Sequence, residues 1–390
     1  MSDDGIDVTE LLAAIDAGER LLLLDVRNER DFAAWRIGGR REPDALNVPY
    51  FRFLEEADAI VPRLPRGVPL VTVCAHGGSS ALVSALLREH GIVARNLVGG
   101  MAAYGAHLSP VRVPTPVAER RFEIWQVQRV ARGCLSYVVV SGGAAVVVDP
   151  SRHVERYEAF VAARNARIEL VIDTHVHADH VSGGATLAAR NRAAYFVGVA
   201  DGWPIGGAVA ALPAGGSFWL RRDDAPPLEL RMIATPGHTP EGHAVLVAGR
   251  WLLSGDTLLV DGVGRPDLGA HALEWGRDLY RTITQRLAWL PDETVVLPAH
   301  TAAPPDVGAH DVIATSLGEV RGLPELTLPS ADTFARAIAA LVGPAPEAYA
   351  QIVVRNRDPE PIPPELADEW ELGPNQCAAR PGAAAAPETR

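Results

Sequence analysis

The sequence has only three cysteines, no apolar run of membrane-spanning length and no cluster of basic residues. Three scattered cysteines in 390 residues cannot form a disulfide framework, which fits a reducing compartment. Residues 1–5 are acidic and contain neither the basic nor the apolar segment of a secretory signal. These absences predict a soluble protein of the cytoplasm that does not enter a membrane.

The charge balance argues against another class of partner. The formal net charge is −12 at pH 7 and no group of Lys or Arg offsets it, so we expect no binding to nucleic acid or to an anionic membrane surface. Hydrophobic residues make up 48% and charged residues 22% of the chain, as in an ordinary globular protein. The length of 390 residues allows two or three domains.

The sequence does contain a dense group of metal-ligand side chains directly after the apolar run 168–173. That run predicts a buried strand, and His175, His177, Asp179 and His180 follow it within six positions. A loop that leaves a strand end can direct several of these side chains inward. Histidine nitrogen and carboxylate oxygen together suit zinc, iron or manganese. The spacing therefore predicts a metal site.

Three later strands supply further ligands in the same way. His238 follows a strand-like run on a Pro-Gly turn, Asp256 follows the apolar run 251–254, and His300 follows the run 295–298. A single strand that ends in a ligand-type residue is unremarkable, but three repetitions after the first motif make chance a poor explanation. We therefore expect all of these residues to belong to one centre.

The first hundred residues alternate predicted strands and helices, which is typical of an α/β domain with a parallel sheet. Cys74 lies at a predicted strand end, inside a glycine-rich loop and at the start of a helix. Backbone N–H groups and the helix dipole at such a place stabilise a thiolate and lower its pKa. The alternative is a small buried cysteine that packs against the sheet.

Residues 5–106 resemble a rhodanese (sulfurtransferase) domain, on the matches at 24–27, 45–49, 97–101 and the Cys74 loop. The resemblance implies that Cys74 accepts a sulfane sulfur as a persulfide, and that the loop binds the substrate through His76, Gly77, Gly78 and Ser79. Two positions depart from the family pattern. Ser79 occupies the place of the loop arginine, and Arg36 that of a common histidine, so an anionic donor would depend on His76 or Arg36. A degenerate, structural domain is the alternative.

The order of the metal-ligand residues resembles the metallo-β-lactamase superfamily over residues 121–345. The resemblance implies a four-layer αβ/βα sandwich with the metal in a cleft at one edge of two sheets. We therefore predict an α/β rhodanese-like domain over 1–108 and a proline-rich linker over 109–120. The metallo-β-lactamase fold would follow, and then a C-terminal extension over 346–390 with a disordered tail.

Ligand counting leaves two chemistries open. Seven ligand-type residues permit two zinc ions, as in the thioester hydrolases of the glyoxalase II type. The same residues permit one iron held by two histidines and a carboxylate, with open positions for a substrate and dioxygen.

The segment 255–268 favours the second chemistry, because it resembles the Gly-Asp…Gly-x-Gly-Arg-x-Asp signature of the persulfide (sulfur) dioxygenases. That resemblance implies one Fe(II) per chain on His175, His238 and Asp256, with Zn(II) as the alternative metal. It makes His177, Asp179, His180 and His300 supporting residues or ligands of a second metal, with Asp179 also counted as catalytic. Arg265 and Asp267 become walls of the cleft, where Arg265 is a candidate to bind a substrate carboxylate, and an internal ion pair is the equal alternative.

The implied reaction oxidises a thiol persulfide, such as glutathione persulfide, with dioxygen to sulfite. Cys74 would exchange sulfane sulfur between sulfite and thiosulfate, in a direction that the sequence leaves open. Family members commonly place a glutathione-binding tyrosine two residues after the last histidine, but here His300 is followed by Thr301 and Ala302. The alternative function is a dinuclear-zinc thioester hydrolase with a degenerate rhodanese domain. A homodimer is also expected from the superfamily.

Overall fold

The structure is a computed structural model of the chain, and it describes residues 4–39, 41–116, 121–198, 209–211, 215–220, 227–266, 271–301, 312–343, 345–358 and 360–379. Asp267, one of the predicted cleft residues, lies outside the described residues, and so does the tail 380–390 that was expected to be disordered. None of the described helices has both the length and the apolar character needed to cross a bilayer.

The first domain is a five-stranded parallel sheet with the strand order β1-β5-β4-β2-β3. Its strands are β1 (Gly5–Ile6), β2 (Leu22–Asp25), β3 (Ala45–Asn47), β4 (Leu70–Val73) and β5 (Ala94–Leu97). Its helices are α1 (Val8–Ala17), α2 (Glu29–Ala34), α3 (Tyr50–Ile60), α4 (Gly78–Glu89) and α5 (Gly100–Gly105). The predicted parallel α/β domain is confirmed.

The second domain contains two mixed sheets. The first has the order β12-β11-β10-β9-β8-β7-β6 and the second the order β13-β14-β15-β16-β17-β18. The strands of the first sheet are β6 (Ser109–Arg112), β7 (Glu123–Arg129), β8 (Cys134–Ser141), β9 (Ala144–Val148), β10 (Arg167–Asp173), β11 (Ala194–Val197) and β12 (Val209–Ala211). Those of the second are β13 (Ser217–Leu220), β14 (Leu228–Ala234), β15 (His243–Val247), β16 (Trp251–Gly255), β17 (Val295–Pro298) and β18 (Thr315–Ser316).

Helices cover the outer faces of both sheets. Buried side chains of α6 (Val154–Ala162) and α7 (Gly184–Asn191) pack on the first sheet. Those of α8 (Ala272–Arg281) and α10 (Ala331–Ala339) pack on the second, and α9 (Leu317–Arg321) lies beside β18. A third apolar core, with Trp251 and Phe122 in edge-to-face contact, fills the space between the sheets. The predicted αβ/βα sandwich is therefore confirmed.

The segment between the domains differs from the expected linker. Residues 109–120 were predicted as an extended proline-spaced linker, but Ser109–Arg112 forms the edge strand β6, which pairs antiparallel with β7. A proline can occupy an edge strand because one side of that strand needs no hydrogen-bond donor, and Pro110 is such a residue. The first domain is thus attached directly to the sheet of the second.

The C-terminal extension folds back over the second domain. It contains α11 (Ala348–Arg357) and α12 (Pro364–Trp370) and then a strand-like stretch up to Ala379. Glu371 fastens it, because its buried carboxylate accepts from Arg129 at 2.7 Å and from Arg152 at 3.1 Å. The same carboxylate accepts from the backbone N–H of Val181, directly behind the first metal motif.

Candidate metal centre and cysteine loop

The predicted ligands converge where strands of both sheets end. The loop after β10 holds His175, His177, Asp179 and His180, the loop after β14 holds His238, Asp256 follows β16, and His300 follows β17. All seven side chains are buried, with exposed fractions of 3% or less. A bridge between Cys134 and His300 joins the start of β8 to the end of β17, so the two sheets meet at this edge.

Three of these residues direct potential metal-ligand atoms toward one another, and these atoms have no hydrogen-bond partner. The Nε2 atoms of His175 and His238 lie 3.8 and 3.4 Å from Oδ2 of Asp256, and none of the three atoms has a hydrogen-bond partner. All three lie within 4.8 Å of one another and are buried. Buried polar atoms without partners are rare, and such a group fits the ligands of one metal ion.

Hydrogen bonds fix the tautomers that a metal requires. Nδ1 of His238 donates to the carbonyl of Arg265 at 2.8 Å. The Thr174 hydroxyl donates to Asp149, so it accepts from Nδ1 of His175 at 2.9 Å. Burial lowers the pKa of both histidines, and the rings are therefore neutral with bare Nε2 atoms. The chemistry of the three donors thus fits a ferrous or zinc ion.

His300 lies between two carboxylates. Its Nε2 donates to Oδ2 of Asp179 at 2.7 Å, and its Nδ1 donates to Oδ1 of Asp256. Burial alone would lower the pKa of His300, but the two carboxylates raise it well above its usual value. Burial also raises the pKa of Asp256, and the neighbouring His300 more than reverses this effect and lowers it. Both ring nitrogens are therefore engaged, and Asp256 is held by the same contact.

His177 and His180 are held by acidic residues at the rim of the centre. Nε2 of His177 lies 3.1 Å from Asp149, and Nδ1 of His180 lies 3.1 Å from Asp179. Asp149 also accepts from the backbone N–H of Thr174 at 2.6 Å. Asp149 was not identified as a site residue from the sequence. It directly follows the buried strand β9, and a ligand-type residue after a buried strand was the pattern that located the other ligands.

Two glycines allow the ligand loops to approach closely. Gly237 has a φ of 149°, and a Cβ there would lie 2.4 Å from Cα of Leu279 in α8. At Gly264 a Cβ would lie 2.1 Å from the carbonyl of Asp256 and 2.8 Å from Nδ1 of His238. Larger side chains at these positions would displace the ligands themselves.

Arg265 occupies a different place from the one expected for a substrate-binding residue. It is 2% exposed, and its guanidinium donates to the backbone carbonyls of Gln376 and Gly343. Its backbone N–H donates to the carbonyl of Cys377 at 2.8 Å. These contacts join Arg265 to Gly343 and to Gln376 and Cys377 of the C-terminal extension.

Two cysteines that the sequence did not single out adjoin the centre. Sγ of Cys134 lies 3.2 Å from Oδ2 of Asp179, in a group with His180 and His300 whose ligand atoms lie within 4.8 Å of one another. Cys377, from the C-terminal extension, forms a similar group with Asp256 and His300. No sequence pattern marks either cysteine, because contacts distant along the chain bring both to the site.

The Cys74 loop has the predicted geometry. Cys74 follows β4, and its Sγ accepts from the Gly77 N–H and from the Ser80 hydroxyl, each at 3.1 Å. Burial would raise the pKa of the Cys74 thiol, but Ser80 and the backbone N–H groups of the loop outweigh this and lower it. A thiolate is thereby stabilised, as a sulfur-accepting cysteine requires.

The residues around Cys74 differ from the predicted set in one respect. His76, Gly78 and Ser79 line the pocket that contains Cys74, and Gly77 forms its floor through the N–H contact. Arg27 lines the same pocket, held at 2.7 Å by Asp25, and it supplies a cation there. Arg36, one of the two residues that could compensate for the missing loop arginine, lines a cavity between the two domains.

Comparison with known families gives two matches along the chain. The family model for the rhodanese-like domain matches residues 7–107. The family model for the metallo-beta-lactamase superfamily matches residues 129–328, which is just over half of the 390 residues. The two matches follow each other in the order that the sequence predicted.

Individual relatives divide between two activities. A hydroxyacylglutathione hydrolase of Acidiphilium cryptum is 35% identical over 47% of this chain and 70% of its own length. The mitochondrial persulfide dioxygenase ETHE1 of Bos taurus is 28% identical over 52% of this chain and 74% of its own length. The crystal structure of ETHE1 from Myxococcus xanthus is 29% identical with a TM-score of 0.50, over 60% of this chain and 96% of that one. The chain spans only 57–61% of several further hydroxyacylglutathione hydrolases.

Proposed function

Because this chain belongs to the metallo-beta-lactamase superfamily and has a rhodanese-like domain in front of the matched region, we propose that it is an iron-dependent persulfide dioxygenase. It oxidises a small thiol persulfide, such as glutathione persulfide, to sulfite. In the same proposal residues 1–108 transfer sulfane sulfur through Cys74, residues 121–345 hold the metal, and residues 346–379 cover it. The protein works in the cytoplasm, as a homodimer.

The observation that supports this function is the group of three bare donor atoms. His175, His238 and Asp256 offer two neutral imidazoles and one carboxylate. Two histidines and a carboxylate on one side of a metal leave adjacent positions free for a substrate and dioxygen. His300 differs from these three residues, because its Nε2 lies 2.7 Å from Oδ2 of Asp179 and its Nδ1 lies beside Oδ1 of Asp256.

The protein residues have separate tasks in this reaction. A ferrous ion held by His175, His238 and Asp256 would supply the redox chemistry that the reaction of a persulfide with dioxygen needs. Asp256 is held in place by His300, and His238 by the carbonyl of Arg265. Asp179 positions His300 and His180 rather than contacting the ligand triad itself. Burial of all these side chains excludes bulk water, which strengthens each electrostatic contact.

The rhodanese-like domain suits the same chemistry. Its Cys74 lies in a loop that stabilises a thiolate, beside the cation of Arg27. A thiolate there attacks the outer sulfur of a persulfide donor, the S–S bond of the donor breaks and the donor leaves as a thiolate, while the N–H groups of the loop stabilise the protein persulfide that results. A domain that handles sulfane sulfur has a clear use next to a persulfide oxidase and none next to a thioester hydrolase.

A dinuclear thioester hydrolase is the second candidate, and one observation favours it. Asp179, His180 and His300 form a second group of ligand-type atoms, next to the first. Displacement of the proton between His300 and Asp179 would open this group to a second ion, and several curated relatives are named as hydroxyacylglutathione hydrolases. The two candidates differ in whether oxygen is consumed.

The test measures oxygen consumption by the iron-loaded protein with glutathione persulfide, together with the sulfite formed and the hydrolysis of a glutathione thioester. We expect oxygen uptake with sulfite in equal amounts and no thioester hydrolysis. Asp256→Asn should abolish the uptake, because it removes the anionic ligand. His271→Asn replaces an exposed histidine whose ring lies 3.5 Å from Glu274, and it should leave the oxygen uptake unchanged. Thioester hydrolysis without oxygen uptake would refute the proposal in favour of the hydrolase.

A further inference from the structure

A cavity of about 320 Å³ lies between the two domains, and one of its lining residues, Cys134, contacts Asp179 of the metal centre. Trp35 and Tyr104 line it from the first domain, and Cys134 and Thr301 line it from the second. The domains are held together at its wall, since the indole N–H of Trp35 donates to the carbonyl of Ala131 at 3.3 Å. The cavity is therefore a built feature of the domain interface.

The charge of this cavity favours an anion. Its described lining residues include Arg36, Arg129 and Arg132, and no Asp or Glu is among them. Arg129 is neutralised by Glu371. The carboxylate of Glu371 lines a neighbouring cavity and not this one. A small thiol persulfide is an anion with a short apolar sulfur end, and it fits a cavity of this size with this charge and with Trp35 on its wall.

Cys134 is the residue at which the cavity and the centre meet. It lines the cavity, and its Sγ lies 3.2 Å from Oδ2 of Asp179 on the other side. The group that it forms with Asp179, His180 and His300 contains a further unsatisfied atom, because Nε2 of His180 is buried and has no partner. A sulfur atom added to the thiol of Cys134 would therefore lie beside ligand-type atoms that can contact it.

A second cavity lies between this one and the pocket of Cys74. It shares Ala34, Trp35 and Arg129 with the interdomain cavity. It also shares four residues with the pocket of Cys74: Arg27, Asp31, Ala75 and His76. Because a whole cavity separates the two thiols, sulfur that moves between them travels on a small thiol and not by direct contact.

We propose that Cys134 accepts the sulfane sulfur of a small-molecule persulfide in the interdomain cavity and holds it as a protein persulfide beside the metal centre. This inference rests on the proposed persulfide chemistry of the centre. The thiol sulfur of Cys134 attacks the outer sulfur of the donor, one S–S bond forms and the S–S bond of the donor breaks. The donor leaves as a thiol and takes the proton of Cys134, so that no oxidant is needed.

The test treats the full-length, iron-loaded protein with glutathione persulfide without oxygen, blocks the thiols by alkylation and measures the mass of each cysteine peptide. We expect Cys74 and Cys134 each to gain one sulfur atom. Cys377 serves as the matched control, because it adjoins the same centre but is 0% exposed, and it should stay unmodified. Cys134→Ala should lose only its own signal.

A second variant tests the route. Ala34 is exposed and lines both cavities, so Ala34→Trp should narrow their junction without disturbing a core. If the sulfur that reaches Cys134 comes from Cys74 through this junction, Ala34→Trp should slow the labelling of Cys134 severalfold. The labelling of Cys74 should be unchanged. Ala59→Trp, at an exposed position of α3, should change neither rate.

The labelling pattern of the three cysteines either supports or refutes the persulfide at Cys134. Cys134 that stays unmodified while Cys74 is labelled, or Cys377 labelled in its place, would overturn the inference. Equal labelling in Ala34→Trp would overturn the route from Cys74. The labelling needs no dioxygen, so labelled Cys134 without oxygen uptake would refute the dioxygenase alone. Oxygen uptake with unlabelled Cys134 would refute this inference alone.

Discussion

The environment of Cys74 is built by one short loop, residues 74–80, whereas the metal centre takes its side chains from strand ends spread over residues 134–300. The loop acts through backbone N–H groups and one hydroxyl and leaves its pocket open. The centre acts through buried imidazoles and carboxylates, and a C-terminal extension closes it. A local site of the first kind tolerates distant change, and a site assembled from distant parts does not.

The largest expected effect is on the metal. Asp256→Asn removes the anionic donor of the triad and the partner of His300, so iron should fall from about one per chain to a small fraction and oxygen uptake should fall to background. Sulfur transfer by Cys74 should remain, because its loop shares no residue with the centre. Elemental analysis and a sulfurtransferase assay on the same sample check both. Loss of both activities in a folded variant would contradict the independence of the Cys74 loop from the metal centre.

The second effect is on stability. Glu371→Gln leaves the buried Arg129 without its carboxylate and leaves Arg152 with Asp368 as its remaining partner, and breaking a buried pair costs about 3–5 kcal/mol. Chemical denaturation should show this loss, and limited proteolysis should release the C-terminal extension. Glu369→Gln, an exposed neighbour, should change the free energy of unfolding by no more than about 0.5 kcal/mol.

The effect of Glu371 should depend on pH. Burial raises the pKa of this carboxyl group, but Arg129, Arg152 and Arg132 outweigh burial and lower it below its usual value. A lowered pKa stabilises the fold at neutral pH, and this contribution disappears as the pH falls toward the folded-state value. The stability difference between Glu371→Gln and the unaltered protein should therefore narrow in acid. A difference that widened in acid would contradict the ion-pair explanation.

A smaller effect is expected behind the ligands. Asp149→Asn weakens the contacts to His177 and to Thr174, which orients His175. Loss of such a supporting carboxylate typically lowers metal affinity about 10–100-fold without abolishing binding. Titration of the apo-protein with iron in the presence of a competing chelator measures this change. An affinity equal to that of the unaltered protein would show that Asp149 does not orient the ligands.

The smallest effect concerns the loop. Ser80→Ala removes a hydrogen bond that lowers the pKa of Cys74, so the pH at which Cys74 becomes half-alkylated should move upward. Ser79→Ala is the control, since among the described residues the hydrogen bonds to Sγ come from Gly77 and Ser80, and it should leave the profile unchanged. An unchanged profile in Ser80→Ala would assign the lowered pKa to the backbone N–H groups alone.

The sequence predicted the local parts of both sites. Cys74 and the seven ligand-type residues each follow a buried strand, and a strand end is visible in hydrophobic runs. Helix α1 (Val8–Ala17) likewise has local limits, because Asp7 caps its start and Gly18 ends it. Nothing local identified the parts that distant contacts bring in. Cys134 and Cys377 reach the centre only through strand pairing and through the extension.

Two differences show why pattern alone was insufficient. Residues 109–112 contain a proline that is typical of a linker, yet they pair with β7 at a sheet edge where a proline is tolerated. Arg265 belongs to a motif that predicted a substrate contact, and in the structure its guanidinium donates to the carbonyls of Gly343 and of Gln376. In both cases the deciding partner lies far away along the chain.

The number and kind of metal ions in protein purified without added metal tests the central claim most directly. Elemental analysis of such a sample should give about one iron per chain, because His175, His238 and Asp256 form one triad and His300 is engaged by two carboxylates. Two zinc ions per chain would contradict the single-metal centre, and the thioester hydrolase would then be the better account of the same residues.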